Sequence, residues 1–346
     1  VPLIVLILSV GIFLTVRLRG LQVTKLGLAI KNIFKNDKDG KDGEVSSFGA
    51  LCMALSATIG TGNIVGVATA LVTGGPGALF WMWIAAFFGT ATKYAECLLA
   101  IKFRVVEKDG HIVGGPFYYI ENGMGKNWKW LAKMFATFGV GAGLLGIGTF
   151  TQINGITGAV KNFFDPNSVN TVYLFGNEYS WAVVVSGLII TICAALVIIG
   201  GVKRISKVAE FIVPFMAICY VGSALMILIT HASEIPVVLV EVVECAFGLR
   251  AVAGGALGSI MVAMQKGIAR GIFSNEAGLG SAPIAAAPVK TSEPVEQGLV
   301  NMTGTVIDTL IVCTMTGLAI VIAFCNPQFV PMAEGLQAVQ LTSAAL

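Results

Sequence analysis

Eight stretches of this chain, at about 1–16, 48–72, 76–101, 131–160, 181–200, 208–230, 247–285 and 298–325, are apolar enough to be read as membrane helices. A spanning helix needs about 20 mostly apolar residues, because the bilayer core offers the backbone no partner outside its own hydrogen-bond ladder. Charged residues make up only 12% of the sequence, far below the roughly 25% of soluble domains, so the chain cannot cover a globule with polar surface. The expected fold class is an all-α polytopic membrane protein forming a single transmembrane domain over 1–346. Both ends read as truncated: Val1 lies inside an apolar run, and Leu346 falls just after a further helix starts near 335.

Basic residues set the orientation. Lys and Arg gather at 17–45, 102–133, 203–207 and Lys290, whereas Lys161 and Arg250 fall in the opposite connections. The first face is therefore read as cytoplasmic. The net charge of +3 reports this topology and calls for no nucleic-acid partner. Within 17–45, Leu26, Ile30, Ile33 and Phe34 recur at helical spacing between lysines, the pattern of a helix lying along the interface, and Asn36 to Gly43 then reads as a solvated loop.

The second span contains Ala57-Thr58-Ile59-Gly60-Thr61-Gly62-Asn63-Ile64-Val65-Gly66, where the helix-weakening Gly60 and Gly62 and three hydrogen-bonding side chains meet at mid-membrane. One reading is a helix that stops and restarts, offering N–H groups near Gly62 to a carboxylate and carbonyl and side-chain oxygens of Thr58, Gly60 and Asn63 to a small cation. The other is a small-residue interface whose hydroxyls bond back to the preceding turn. The segment 247–285 is too long for a simple crossing and is rich in glycine (Gly254, Gly255, Gly258, Gly267, Gly271, Gly278, Gly280), making it the second candidate for a broken helix. Each broken span precedes an intact partner, over 48–101 and 247–325, and the two pairs start on opposite faces. That is the pattern of an inverted repeat.

Asp308 is the acid nearest the centre of a span, on one stripe with Asn301, Thr305, Thr309 and Thr316. A carboxylate there needs a cation, a proton or a hydrogen-bond network, and all three stay open. The fourth span, about 45 Å long at 1.5 Å per residue, is expected to tilt or project, and it carries Gln152 either facing cargo or tying helices together. Backbone near Gly267 to Gly271, with Phe273 as an aromatic wall, is read as pocket lining. Ser274 is read as the N-cap of a half-helix with Glu276 in its first turn. Lys93 and Glu96 read as a structural ion pair. The seven cysteines lack metal-ligand spacing and read as small apolar residues, while His111 and His231 lie on opposite faces. No transition-metal site, phosphate loop or enzyme constellation is present in the sequence.

The stretches Ala54–Ile64, Gly74–Trp83, Ala91–Glu96, Phe273–Pro283 and Met302–Thr305 with Asp308 and Thr309 closely resemble signature stretches of the alanine or glycine:cation symporter family, over essentially the whole chain. The resemblance implies the leucine-transporter-type inverted repeat behind an extra N-terminal helix, with the C-terminal helices missing. It implies sodium-coupled symport of alanine or glycine by alternating access across a prokaryotic inner membrane. By that likeness the pocket maps onto Thr61, Asn63, Gln152 and the region around Lys266 to Phe273. Joined to the reading of the breaks, the substrate candidates are Gly60, Thr61, Gly62, Asn63, Gln152, Gly267 and Phe273, and those for the coupling Na+ are Thr58, Gly60, Asn63, Thr305 and Asp308. Family members often carry an aromatic where Lys266 stands. A proton-coupled permease and an amino-acid sensor without transport are the alternatives.

Overall fold

The computed structural model describes residues 2–34, 43–146, 148–174, 176–248, 256–291 and 293–325. The expected loop from Asn36 to Asp42, Arg250, Gly254, Gly255 and the helix near 335 lie outside the described residues. Helices dominate. In chain order they begin with α1 (Pro2–Arg17), the short α2 (Leu21–Thr24), α3 (Leu26–Ile33), α4 (Ser47–Thr58), α5 (Thr61–Gly74) and α6 (Gly77–Lys102). A small hairpin of β1 (Val105–Val106) and β2 (Ile112–Val113) leads to α7 (Pro116–Met124), α8 (Lys129–Leu144) and α9 (Thr149–Phe164). A second hairpin, β3 (Thr171–Leu174) with β4 (Asn177–Ser180), precedes α10 (Trp181–Ile198), α11 (Gly201–Thr230) and α12 (Ile235–Ala246). The chain continues through α13 (Ala256–Asn275), α14 (Ser281–Ala286), α15 (Pro294–Thr305), a π-helical segment over Val306–Cys313, and α16 (Thr314–Cys325).

Among the described residues, six stretches are long and apolar enough to cross a membrane: Ser47–Gly74, Gly77–Lys102, Lys126–Phe164, Trp181–Ile198, Gly201–Thr230 and Pro294–Phe324. Pro2–Arg17 is a shorter apolar helix. Helix α13 has the length, but Gln265, Lys266 and Arg270 dilute its hydropathy. Lys203, Arg204 and Lys207, expected in a connection, occupy the first two turns of α11, which begins seven residues earlier than its apolar run suggests. Their long stems let charged heads reach the interface while the helix stays unbroken.

Helix α6 is the axis of the buried half, touching α1, α12, α13, α14 and α15. Glycines make these approaches possible: a Cβ on Gly11 would lie 2.8 Å from the Phe88 carbonyl, and one on Gly77 2.5 Å from the Ala246 nitrogen. One core joins Val67, Leu71, Leu79, Met82, Val238 and Ile320; another joins Leu51, Leu55, Ile59, Val213, Val300 and Val312. On α10 and α11 the large apolar side chains instead point outward, as with Leu188, Leu196, Phe211, Phe215 and Ile218. Such a face suits lipid.

The fourth span differs from its expectation. Its described residues form two helices, α8 and α9, and between them Gly146 and Gly148 adopt φ of 64° and 86°. Only glycine takes such angles cheaply, whereas the close packing expected of Gly139, Gly141, Gly143 and Gly148 is not seen: a Cβ on any of them would meet nothing within 4 Å among the described residues.

Candidate functional site

The first interruption forms as the residues dictate. Helix α4 starts on Ser46, whose hydroxyl accepts from the Gly49 N–H at 2.9 Å, and ends at Ile59 in an extended conformation. Gly60 is also extended, and α5 restarts at Thr61. The side chain of Asn63 reaches back, its Oδ1 accepting the Gly60 N–H at 2.9 Å. This return bond satisfies one of the donors that a restarting helix leaves unpaired.

The other end of the Asn63 amide joins the two broken segments. Its Nδ2 donates to Asp308 Oδ1 at 2.6 Å and lies 3.1 Å from the Asp308 carbonyl, 3.3 Å from Ser274 Oγ and 3.3 Å from Cys313 Sγ. Ser274 and Thr309 both donate to Asp308 Oδ2, at 2.9 and 2.7 Å. Asn275 Nδ2 donates to Thr309 Oγ1 at 3.1 Å. Asn63, Asp308 and Thr309 are fully buried. Hydrogen bonds to a charged group are worth about 1.5–3 kcal/mol each, so three of them offset much of the desolvation of this carboxylate.

The second interruption lies at Glu276–Gly280, beyond Gly267 and Gly271, which are helical within α13. Those two glycines serve packing on α6: a Cβ on Gly267 would stand 2.3 Å from the Ala78 carbonyl oxygen, and one on Gly271 2.9 Å from Ala85. Gly267 thus faces α6 and not the break. The capping expectation for Ser274 is overturned as well, because Ser274 is in the last turn of α13 and its hydroxyl is engaged by Asp308. Glu276 lies outside any first turn, with φ of 55°, and its carboxylate accepts from Ser281 Oγ. Lys93 and Glu96 act on this break separately rather than as an isolated pair: Lys93 Nζ donates to the Asn275 carbonyl at 2.7 Å, and Glu96 accepts the Gly278 N–H at 3.1 Å.

The remaining expected residues divide. Gln152, in the first turn of α9, lays its amide beside Gly60, with Oε1 3.5 Å from where a Gly60 Cβ would stand. Thr61 packs against Gly155 of the same helix. Thr58 does not turn toward the cluster; its hydroxyl lies 3.3 Å from the Ala54 carbonyl, in the back-bonded state. Thr305 is buried, and its hydroxyl has no partner among the described residues. Phe273 stands under the Arg270 guanidinium, 5.1 Å from ring centroid to charge. Ser274, Asn275, Cys313 and Lys93 were not foreseen as members of one network. The serine and asparagine stand beside Phe273 in the sequence, while Cys313 falls under Asp308 only because the helix is locally π-wound, which i+4 spacing does not suggest.

Below the breaks the two segments are stitched together. Val45 and Val289 form a parallel bridge, with Glu44 N–H and Lys290 N–H donating to the Pro288 and Val45 carbonyls at 2.7 and 2.8 Å. Arg104 donates to the carbonyls of Ala287, Val289 and Thr291. The Glu44 carboxylate accepts from the Ile112 N–H at 3.2 Å and meets His111 Nδ1 at 3.1 Å. Burial works to raise the Glu44 pKa, but its bonds to His111 and Ile112 prevail and lower it. His111 is raised, chiefly by the same bond.

A family model described as the sodium:alanine symporter family matches residues 1–346. The chain is 52% identical to an uncharacterized transporter of Haemophilus influenzae, over 94% of this chain and 68% of that protein. It is 46% identical to the sodium/alanine symporter AgcS of Methanococcus maripaludis, over 93% of this chain and 67% of that one. It is 41% identical to the probable sodium/glutamine symporter GlnT of Bacillus subtilis, over 99% and 66%. The chain therefore spans about two thirds of the length of these relatives. With its apolar helices and this match from end to end, the chain belongs to the sodium:alanine symporter family, a family of transporters rather than enzymes.

Proposed function

We propose that this chain carries the cargo site of a sodium-coupled symporter for small neutral amino acids, alanine and glycine, working by alternating access in a prokaryotic inner membrane with its basic connections in the cytoplasm. The observation that carries the reading is the Asn63–Asp308–Ser274 cluster, which ties both helix breaks to one buried carboxylate. Asp308 Oδ1, the Asp308 carbonyl and Ser274 Oγ converge on the Asn63 amide nitrogen, an oxygen set suited to a hard cation when that amide turns aside. The first turn of α5 offers N–H groups and its positive end to the amino-acid carboxylate. Gln152, beside Gly60, serves the ammonium with its amide oxygen, together with backbone carbonyls. Two broken segments, each followed by an intact span, support an inverted repeat as the frame in which these elements rock.

Sodium entry supplies about 2.3 kcal/mol per charge per 100 mV of membrane potential, besides its concentration gradient. The test is uptake of radiolabelled alanine by proteoliposomes of the full-length protein, with unlabelled amino acids as competitors. Accumulation driven by a sodium gradient is expected. A second reading, proton coupling, is favoured by one feature: among the described residues no basic side chain hydrogen-bonds Asp308, leaving it able to carry a proton. Uptake driven by a pH gradient without sodium would establish that reading instead.

A further inference from the structure

One helical turn away from the Asn63 cluster, on the side opposite the Val45–Val289 stitch, α5 and α13 line an open groove of about 290 Å³. Gly66, Thr69 and Thr73 line it from α5, and Lys266, Arg270 and Phe273 from α13. Two cations thus face one small space that no acidic side chain lines among the described residues, and neither is in an ion pair there. Like charges brought close together repel, and an anion shared between them relieves the repulsion.

The space is built around the guanidinium. Arg270 Nη2 donates to the Gly62 carbonyl at 2.8 Å, and the group lies over the Phe273 ring. It fits because residue 66 has no side chain: a Cβ there would stand 1.2 Å from Nη2. Arg270 Nε is buried and has no hydrogen-bond partner among the described residues. A guanidinium held in place on the same groove as an ammonium offers donors to the two oxygens of a carboxylate. Lys266 packs its stem against Gly74, the last residue of α5.

We propose that Lys266 and Arg270 form a carboxylate-binding subsite, distinct from the Asn63–Asp308 cluster, which captures the amino acid before it reaches the helix breaks. The part concerning capture rests on the transport reading; the binding of a carboxylate does not. The subsite also gives the chain a preference against solutes that have an ammonium but no carboxylate.

The experiment uses the full-length protein in detergent, titrated calorimetrically with propionate and with propionamide, its uncharged counterpart. Propionate is expected to bind and propionamide not. Lys266 is exposed, so Lys266→Gln should fold, and it is expected to weaken propionate binding roughly tenfold, the size of one lost charge-assisted contact, while Lys266→Arg keeps it. In proteoliposomes the same Lys266→Gln variant should raise the KM for alanine about tenfold and leave the maximal rate within about twofold. Propionate binding that is absent, or equal in wild type and Lys266→Gln, overturns the subsite whatever uptake shows. Failure of sodium-driven uptake alongside a Lys266-dependent propionate affinity overturns the transport reading and leaves the subsite standing.

Discussion

The two helix breaks reach a similar end by different means. At the first, everything needed lies within a few residues: Ile59 turns the chain, Gly60 is extended, and Asn63 returns a bond to the Gly60 N–H. At the second, the chain leaves the helix over Glu276–Gly280 through three positive-φ residues, and the exposed backbone is held by Lys93 and Glu96 of another helix. One break is written locally and the other is imposed by its neighbour. The distinction matters for movement, since a locally capped end travels with its own helix whereas an end held by α6 is released only when α6 or the break shifts.

The largest effects are expected where the two breaks meet. Asp308→Ala removes the acceptor from Asn63, Ser274 and Thr309 together and should cost about 3 kcal/mol of stability and at least a hundredfold in sodium-driven uptake. In a double-mutant cycle with Asn63→Ala, read as melting of the detergent-solubilised full-length protein, the two changes should couple by at least about 1 kcal/mol. Strict additivity would mean that the breaks are independent, and the comparison would lose its centre.

Lys93→Met tests the imposed break by itself. The buried ammonium is replaced by an apolar group of similar reach, leaving the Asn275 carbonyl without its donor and Glu96 without the nearby cation. A cost of about 2 kcal/mol is expected. Hydrogen exchange should quicken over Ala277–Gly280 and stay unchanged over Thr61–Ile64. Equal quickening at both breaks would show that α6 holds the first as well.

This difference also explains what could be read from residues alone. The break at Gly60, and Asn63 and Asp308 as its polar partners, were legible because glycine, asparagine and a mid-span acid each stand out against an apolar background. Their mutual bond, across 245 residues, was not. The second break falls at Glu276–Gly280, inside the expected segment 247–285, but Gly267 and Gly271, read as pocket lining, pack on α6 instead, and a glycine used for packing looks the same in a sequence as one used for a turn. The same ambiguity hid the positive φ of Gly146 and Gly148, which end α8 and open α9. Lys93 and Glu96, one turn apart, suggested each other as partners, yet both face backbone from elsewhere, which local spacing does not encode.

Glycine replacements sharpen the contrast at a smaller scale. Gly66→Ala should expel the Arg270 guanidinium and cost about 1–2 kcal/mol, whereas Gly62→Ala, whose Cβ would lie 3.6 Å from the same group, should be close to neutral. Gly278→Ala forces a side chain onto φ of 85° and should cost about 1 kcal/mol, against almost nothing for Gly60→Ala at φ of −169°. Melting temperatures of the four variants decide it. A Gly60→Ala variant less stable than Gly278→Ala would mean that the first break depends on glycine for something other than backbone freedom, with the nearby Gln152 amide the group to examine.

The smallest effect belongs to the stitch below the breaks that joins both segments. His111 has its pKa raised above the ordinary 6.5 by Glu44, so its contribution is complete below 6.5 and fades as pH climbs through the raised value. Glu44 is lowered below 4.5, so its contribution is complete above 4.5 and fades as pH falls through the lowered value. The pair is therefore strongest between those two ordinary values, and weakens toward the alkaline side through the histidine. Because His111 is exposed, solvent screens most of the attraction. Melting of the full-length protein from about pH 6 to pH 8.5 should fall slightly more steeply in wild type than in His111→Ala. Parallel curves would show that Arg104 and the Val45–Val289 bridge hold the two segments together without help from this pair, leaving the stitch as insensitive to pH as the capped break above it.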